Sequence, residues 1–338
     1  MHTFSTPLLK WFDTFGRHNL PWQSQPANVY HVWLSEVMLQ QTQVATVIDY
    51  FNRFIEAFPT ILDLSKAKED EVLALWAGLG YYARARNLHA CAKLIMNQHQ
   101  GQFPTTFEQV AALPGIGKST AGAILSIGFN QQHAILDGNV KRVLARYHQV
   151  KGHYSQSKTL QELWRLSEQH TPNSRNAEYT QAIMDLGATL CTKSNPECMR
   201  CPIKKDCAAF ASNTQAIYPE KKLTKTKPTR STVMLIYQNA QGEIYLNKRK
   251  TTGIWGGLWS LPECKNNEED IKNTIKDFCK KAQKYCHLTK IKHSFTHYHL
   301  IIHPLLVSCT TQKMGFFNIS KLEVGIPAPV KKILAQLD

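Results

Sequence analysis

Cys191, Cys198, Cys201 and Cys207 lie in one short stretch with the spacing C-x6-C-x2-C-x5-C. Thiolates gathered this tightly make a cage for a metal ion or an iron–sulfur cluster. A zinc ribbon usually offers two C-x2-C pairs and this stretch has one, so a cluster is favoured over zinc. The other cysteines, Cys91, Cys264, Cys279, Cys286 and Cys309, are scattered. An odd cysteine count in a long chain with no secretory signal argues against a disulfide framework.

Two carboxylates offer a second chemistry. Glu36 lies in Leu34-Ser35-Glu36-Val37-Met38-Leu39-Gln40-Gln41-Thr42-Gln43-Val44. A continuous helix here puts Glu36, Gln40 and Gln43 on one polar face, with Val37, Val44 and Ile48 towards the core. An isolated Glu on such a face ordinarily meets solvent. Asp137 opens Asp137-Gly138-Asn139-Val140-Lys141-Arg142-Val143-Leu144, where an Asp before an apolar-periodic run is an N-cap. A helix N-terminus favours its ionised form.

A third element is Leu113-Pro114-Gly115-Ile116-Gly117-Lys118-Ser119-Thr120-Ala121. Gly115 and Gly117 allow positive φ and close approach of a phosphate, and the following helix adds its N-terminal amides. The plain alternative is a helix–turn–helix corner, where Pro and Gly are common.

These residues must be positioned mostly by helices. Val29–Phe51 carries apolar residues at helical period, and Glu71–Trp76, Tyr82–Gln98, Thr105–Leu113, Ser119–Phe129 and Val140–Tyr147 read similarly. Residues 1–217 are expected to form an all-α region. Residues 218–230 form a basic linker with Lys221, Lys222, Lys225, Lys227 and Arg230. Residues 231–338 are expected to be α+β. Their strands are Thr232–Tyr237, Ile244–Asn247, His299–Val307 and Met314–Asn318, with an amphipathic helix over Glu268–Lys284.

Of the 338 residues, 43% are apolar, enough for ordinary cores, and the net charge is +15. Residues 218–338 hold 20 Lys+Arg against 9 Asp+Glu, so most of that charge is C-terminal. Strongly basic surfaces attract polyanions, nucleic acid above all. No segment approaches a membrane span, and Met1–Trp22 lacks an apolar signal core. The expectation is a cytoplasmic, DNA-associated monomer.

The cysteine spacing resembles the iron–sulfur loop of the endonuclease III and MutY glycosylases, and the Gly115–Ser119 turn resembles their helix–hairpin–helix. The string LSEVMLQQTQV is similar to the first catalytic helix of MutY-type adenine DNA glycosylases. The resemblance implies a [4Fe-4S] cluster on Cys191, Cys198, Cys201 and Cys207, and a monovalent cation at the hairpin. It places the catalytic acid on Glu36 and the catalytic aspartate on Asp137, with Asn139 helping to position Asp137 or a water. The implied reaction is hydrolysis of the N-glycosidic bond of adenine mispaired with 8-oxoguanine or guanine in duplex DNA. Glu36 would protonate the adenine, so its pKa should be raised by burial, and ionised Asp137 would stabilise the sugar cation.

Further contacts follow from the same likeness. Gly78-Leu79-Gly80-Tyr81-Tyr82-Ala83-Arg84-Ala85-Arg86 matches the family's wedge loop. Tyr81 would intercalate, with Gln41 as a second wedge and Arg84 and Arg86 at phosphates. Gly115, Gly117, Lys118, Ser119 and Lys141 would also meet DNA, and Gln181 the flipped adenine. Ser119 stands where lyase-active relatives place a Schiff-base Lys, which implies base excision without coupled strand cleavage, apart from a minor side reaction at Lys141.

Asn247-Lys248-Arg249 and Gly257-Leu258-Trp259-Ser260-Leu261-Pro262-Glu263 resemble a Nudix-like domain. The residues after Glu263 lack the acidic array that would hold magnesium. The expected role is therefore 8-oxoguanine recognition, with Phe295-Thr296-His297 at the family's Phe-Ser-His loop. An endonuclease III-like enzyme for oxidised pyrimidines is the alternative enzyme, and a non-catalytic iron–sulfur DNA-binding regulator the alternative non-enzyme.

Overall fold

The computed structural model describes residues 4–222, 226–279, 284–310 and 314–337. The chain divides into two compact units, one of Met1–Ser65 with Ala90–Thr224, the other of Lys66–His89 with Lys225–Asp338. The linker residue Lys225 lies outside the described residues.

The helices run α1 (Ser5–Phe15), α2 (Val29–Leu39), α3 (Val44–Ala57), α4 (Ile61–Lys66), α5 (Glu69–Trp76), α6 (Ala83–His99), α7 (Phe107–Ala111), α8 (Lys118–Phe129), α9 (Gly138–Tyr147), α10 (Ser157–His170), α11 (Asn176–Asp185) and α12 (Ala208–Ala211). A π-helical turn, Leu186–Leu190, continues α11. In α9, Val140, Val143, Leu144 and Tyr147 recur at the spacing of one helical face and are buried. They share a core with Leu8 and Phe12 of α1, Leu163 and Leu166 of α10, and Tyr179, Ala182 and Ile183 of α11. Burying a large apolar side chain contributes about 1.5–3 kcal/mol, so this face fixes α9 against its neighbours.

The expected helix Val29–Phe51 is two helices. α2 stops at Leu39, Gln41 takes a left-handed φ of 59°, and Gln43 is the N-cap residue of α3. Glu36, Gln40 and Gln43 therefore do not share a helical face. The run Gln40-Gln41-Thr42-Gln43 has no apolar residue to keep a helix docked, so the chain turns there.

In the second unit, β1 (Thr229–Gln238), β2 (Ile244–Tyr245), β3 (Asn247–Lys248), β4 (Trp259–Ser260), β5 (Glu263–Cys264), α13 (Glu268–Phe278), β6 (Lys284–His287), β7 (Ile291–Ser294), β8 (His299–Ser308), β9 (Phe316–Phe317) and α14 (Ala328–Leu334) follow. β1 and β8 pair in parallel over their full length, Thr229 opposite His299 through Gln238 opposite Ser308. They centre a seven-stranded mixed sheet ordered β6-β8-β1-β2-β9, with β5 on β1 and β7 on β8. A helical region with a mixed-sheet α+β region matches the expected fold class. The expected helix Glu268–Lys284 is shorter, ending at the Cys279 C-cap, and Lys284 opens β6.

Candidate active site and metal-binding loop

The segment that delivers Asp137 is pinned residue by residue. Ser126 Oγ donates to the His133 carbonyl at 3.0 Å and Ser167 Oγ to the Ile135 carbonyl at 2.6 Å. The Leu136 N–H donates to Ser119 Oγ at 2.9 Å. A Cβ on Gly122 would meet the Ala134 oxygen at 2.5 Å, so only glycine lets α8 pass this closely. Asp137 then caps α9, accepting the Val140 N–H at 2.8 Å.

Glu36 lies on α2, and Asp137 is close enough for its charge to be felt there. Burial of the Glu36 carboxyl, reinforced by the negative charge of Asp137, pushes its pKa up to about 8. Burial also raises the Asp137 pKa. It outweighs the opposing backbone hydrogen bonds from Val140 and Asn139 and the charges of Arg142 and Lys141. The helix N-terminus was expected to hold Asp137 low, but desolvation is the larger effect. Asp137 has backbone donors and nearby cations that favour its anion, and the Asp137 charge favours the neutral form of Glu36.

Asn139 follows on the first turn of α9. Its side-chain oxygen accepts from Arg142 Nη2 at 2.9 Å, and the same guanidinium reaches the Gly187 carbonyl at 2.6 Å and the Cys191 carbonyl at 2.7 Å. A Cβ on Gly187 would lie 2.6 Å from Asn139 Cβ, so the π-helical turn abuts α9. Arg142 thus joins the first turn of α9 to the start of the cysteine loop. Lys141 Nζ lies 5.3 Å from the centre of the Tyr154 ring. Gln181 is half-buried on α11.

Cys191, Cys198, Cys201 and Cys207 line one cavity with Val143, Leu186, Leu190, Ile203 and Phe210. Arg146 Nη1 donates to Cys191 Sγ at 3.3 Å, and the same guanidinium donates to the carbonyls of Thr192, Lys193, Gln215 and Tyr218. Burial pushes the Cys201 thiol up to about 12, and the Cys198 and Cys207 thiols are raised as well, with the other thiols adding to the effect. Among the described residues, no group of three or more His, Cys, Asp or Glu side chains converges as on a single ion. Four thiols around an apolar cavity, one already accepting from an arginine, suit a multi-iron cluster whose sulfurs take hydrogen bonds and whose shell excludes water.

The hairpin joins α7 to α8. Gly115 has φ +78°, the left-handed value its turn demands, and Gly117 is the N-cap residue of α8, with open space where a Cβ would stand. Lys118 pairs with Glu168 at 3.0 Å and lies 4.0 Å from the Trp164 ring centre. Gln41 is exposed at positive φ.

In the second unit Tyr81 is likewise at positive φ (49°) and is 49% exposed, after two glycines at φ 102° and 76°. Tyr81 is thus a bulky non-glycine residue held in the sparsely populated left-handed region and open to solvent. Arg84 is buried and donates to the Leu79 and Gly80 carbonyls, with its guanidinium over Trp76 and Tyr81, so it shapes the loop. Arg86 donates to the Gly256 carbonyl. Phe295, half-buried, packs on Trp255 and Tyr298, while Thr296 and His297 are exposed.

Motif spacing does not reveal Ser119 as an anchor of Leu136, the two other serines of the pinned segment, Gly122, Gly187 or the two arginines. The only sequence signal is the density of small and hydroxyl residues in α8, Lys118-Ser119-Thr120-Ala121-Gly122-Ala123.

Residues 34–169 match the HhH-GPD superfamily base excision DNA repair protein family, and residues 232–336 the NUDIX domain family. An adenine DNA glycosylase of Buchnera aphidicola subsp. Schizaphis graminum is 39% identical over 346 residues, covering 99% of this chain and 98% of that protein. The human adenine DNA glycosylase is 44% identical over 214 residues, covering 61% of this chain and 39% of that one. A thermostable thymine-DNA glycosylase structure superposes with a TM-score of 0.54 at 24% identity, over 62% of this chain and 95% of that one. An endonuclease III–DNA complex superposes with a TM-score of 0.53 at 20% identity, over 62% and 95%. These two superpositions establish the shared helical fold.

Proposed function

Because the chain belongs to the adenine DNA glycosylases and is a DNA N-glycosylase of base excision repair, we propose that Glu36 and Asp137 divide its chemistry as acid and anion. Glu36, neutral at physiological pH, donates its proton to the adenine ring and makes it a competent leaving group. As the glycosidic bond breaks, positive charge grows on the sugar, and the Asp137 carboxylate stabilises it from the capped start of α9. Glu36, now a carboxylate, takes a proton from the incoming water. The observation that carries this reading is the Glu36 pKa near 8, set by burial and by the Asp137 charge.

The substrate is adenine opposite 8-oxoguanine or guanine, flipped out of the duplex at a cost of a few kcal/mol. Tyr81 and Gln41 fill the gap, the Gly115–Gly117 hairpin amides hold a phosphate, and Gln181 lies on the adenine side. Phe295, Thr296 and His297 read the opposing purine. Ser119 supplies no amine, so base excision proceeds without coupled strand cleavage. Cys191, Cys198, Cys201 and Cys207 would hold a [4Fe-4S] cluster, which would supply thiolate ligation that closes the 191–207 loop. Arg146 and Arg142 attach that loop to α9.

Duplexes containing A:8-oxoguanine, A:G or an oxidised pyrimidine, assayed with and without alkali, test the reading. Free adenine, with strand breaks only after alkali, is the expected result. Selective release of the oxidised pyrimidine with direct breaks points instead to endonuclease III chemistry, and binding without any release points to a non-catalytic regulator.

A further inference from the structure

Glu69–Trp76 and the Tyr81 loop belong to the same compact unit as the sheet domain, although residues 90–224 separate the unit's two segments in sequence. Three contacts fasten them to it. Arg86 Nη1 donates to the Gly256 carbonyl. Lys248 pairs with Asp70 at 2.7 Å. Gly257 and Gly325 pack against Leu73; a Cβ at Gly325 would meet the Leu73 carbonyl oxygen at 2.7 Å and its carbonyl carbon at 2.9 Å.

The residue beside Gly256 is Trp255, buried and held at a left-handed φ of 56°. A tryptophan in that conformation is strained, and its surroundings must hold it there. Its ring centre lies 5.2 Å from that of Phe295 and 5.7 Å from that of His293, with the Arg249 guanidinium 5.6 Å from the ring. Phe295 opens the 295–297 loop, which is closed by its N–H to the Tyr298 carbonyl at 2.9 Å and tied by Lys227 Nζ to the Phe295 carbonyl at 2.9 Å. An unbroken path of contacts therefore runs from the Tyr81 loop through Arg86, Gly256 and Trp255 to Phe295.

We propose that Trp255 and its Gly256 carbonyl are positioning elements that link the 295–297 loop to the Tyr81 wedge loop, so that the identity of the base opposite adenine sets the posture of the wedge. The proposal rests on the roles given above to Tyr81 and to residues 295–297. None of Trp255, Asp70, Lys248 or Gly325 need touch DNA for it. The Asp70–Lys248 pair is part-exposed and aligns the two segments more than it holds them. Packed contacts and a charge-assisted hydrogen bond to a carbonyl are the kind of contiguous path along which substitutions shift coupling between two sites.

The test is single-turnover adenine release, by the full-length protein, opposite 8-oxoguanine and opposite guanine. Trp255→Ala and Gly325→Ala are each expected to lower the 8-oxoguanine-to-guanine rate ratio by about fivefold while the rate opposite guanine holds. Gly325 has no left-handed φ, so its alanine variant opposes only the Leu73 contact. Asp70→Lys and Lys248→Asp are expected to shift the ratio singly, and the double variant to restore it. This charge swap carries the test if either alanine variant fails to fold. An unchanged ratio, or two rates falling in proportion, overturns the link. If the wild type shows no preference, or His297→Ala leaves the preference intact, the reading of residues 295–297 falls and the link with it. If His297→Ala abolishes the preference while the linking variants keep it, the link alone falls.

Discussion

Ser119 Oγ accepts the Leu136 N–H at 2.9 Å, one residue before Asp137. This side chain thus anchors the segment bearing the proposed anion. Ser119→Ala leaves that N–H without its partner, at a cost of about 1–3 kcal/mol. Adenine release should fall by roughly tenfold or more as Asp137 drifts from the sugar. Ser119→Thr keeps the hydroxyl and should recover much of the rate. Denaturant midpoints and single-turnover rates on the same preparations check both, and an alanine variant of wild-type stability and rate removes the anchor.

Activity should follow a bell in pH. The proposed acid Glu36 acts protonated, so the rate should decline as pH rises through about 8, and the proposed anion Asp137 acts ionised, so it should decline again in acid. Stability has a matching sign. A carboxyl whose pKa is raised from 4.5 to about 8 on folding stabilises the native state fully below 4.5 and loses that contribution as pH rises through 8. Glu36→Gln should therefore abolish adenine release and gain stability relative to wild type as pH rises from about 5 to about 9. Melting curves across that range show it; a constant difference contradicts the raised pKa.

Arg142 serves the Asn139 side chain and the Gly187 and Cys191 carbonyls with one guanidinium. A lysine cannot spread its donors over three such acceptors. Arg142→Lys should slow adenine release while the protein still carries iron, whereas Cys201→Ala should lower bound iron. Iron content and visible absorption, read beside the rate, separate the two. Loss of iron from the Arg142 variant to the same degree would make the arginine part of cluster binding only.

Lys141 rests near the Tyr154 ring, one turn from Asp137. Any strand cleavage without alkali should be minor and should disappear in Lys141→Ala, with base release retained. Borohydride trapping on an abasic duplex measures it, and undiminished trapping in the variant places the amine elsewhere.

Local chemistry was legible in the chain where a residue acts within its own segment. Asp137 as cap, the amphipathic face of α9 and the left-handed Gly115 all follow from types and spacing. The raised pKa of Glu36 was expected only through resemblance, because a polar helix face by itself predicts an exposed carboxylate. Gln40–Gln43 misled because the apolar period resumes at Val44, although the four residues between carry no apolar side chain. The shortened α13 gives way to β6 because the edge of β8 recruits Lys284–His287 into the sheet, a long-range pairing that outweighs helical propensity. The grouping of Lys66–His89 with the C-terminal sheet has no local signature at all.

The cap at Asp137 has a consequence for how this position can vary. Its oxygen holds the first turn of α9 together, so the charge proposed to act on the sugar and the joint that starts the helix are one atom group. Asparagine can keep the joint and discard the charge; alanine discards both. Drift from aspartate to a residue that cannot cap would therefore loosen the scaffold at the same moment as it removed the charge, whereas asparagine, serine and threonine would remove the charge alone.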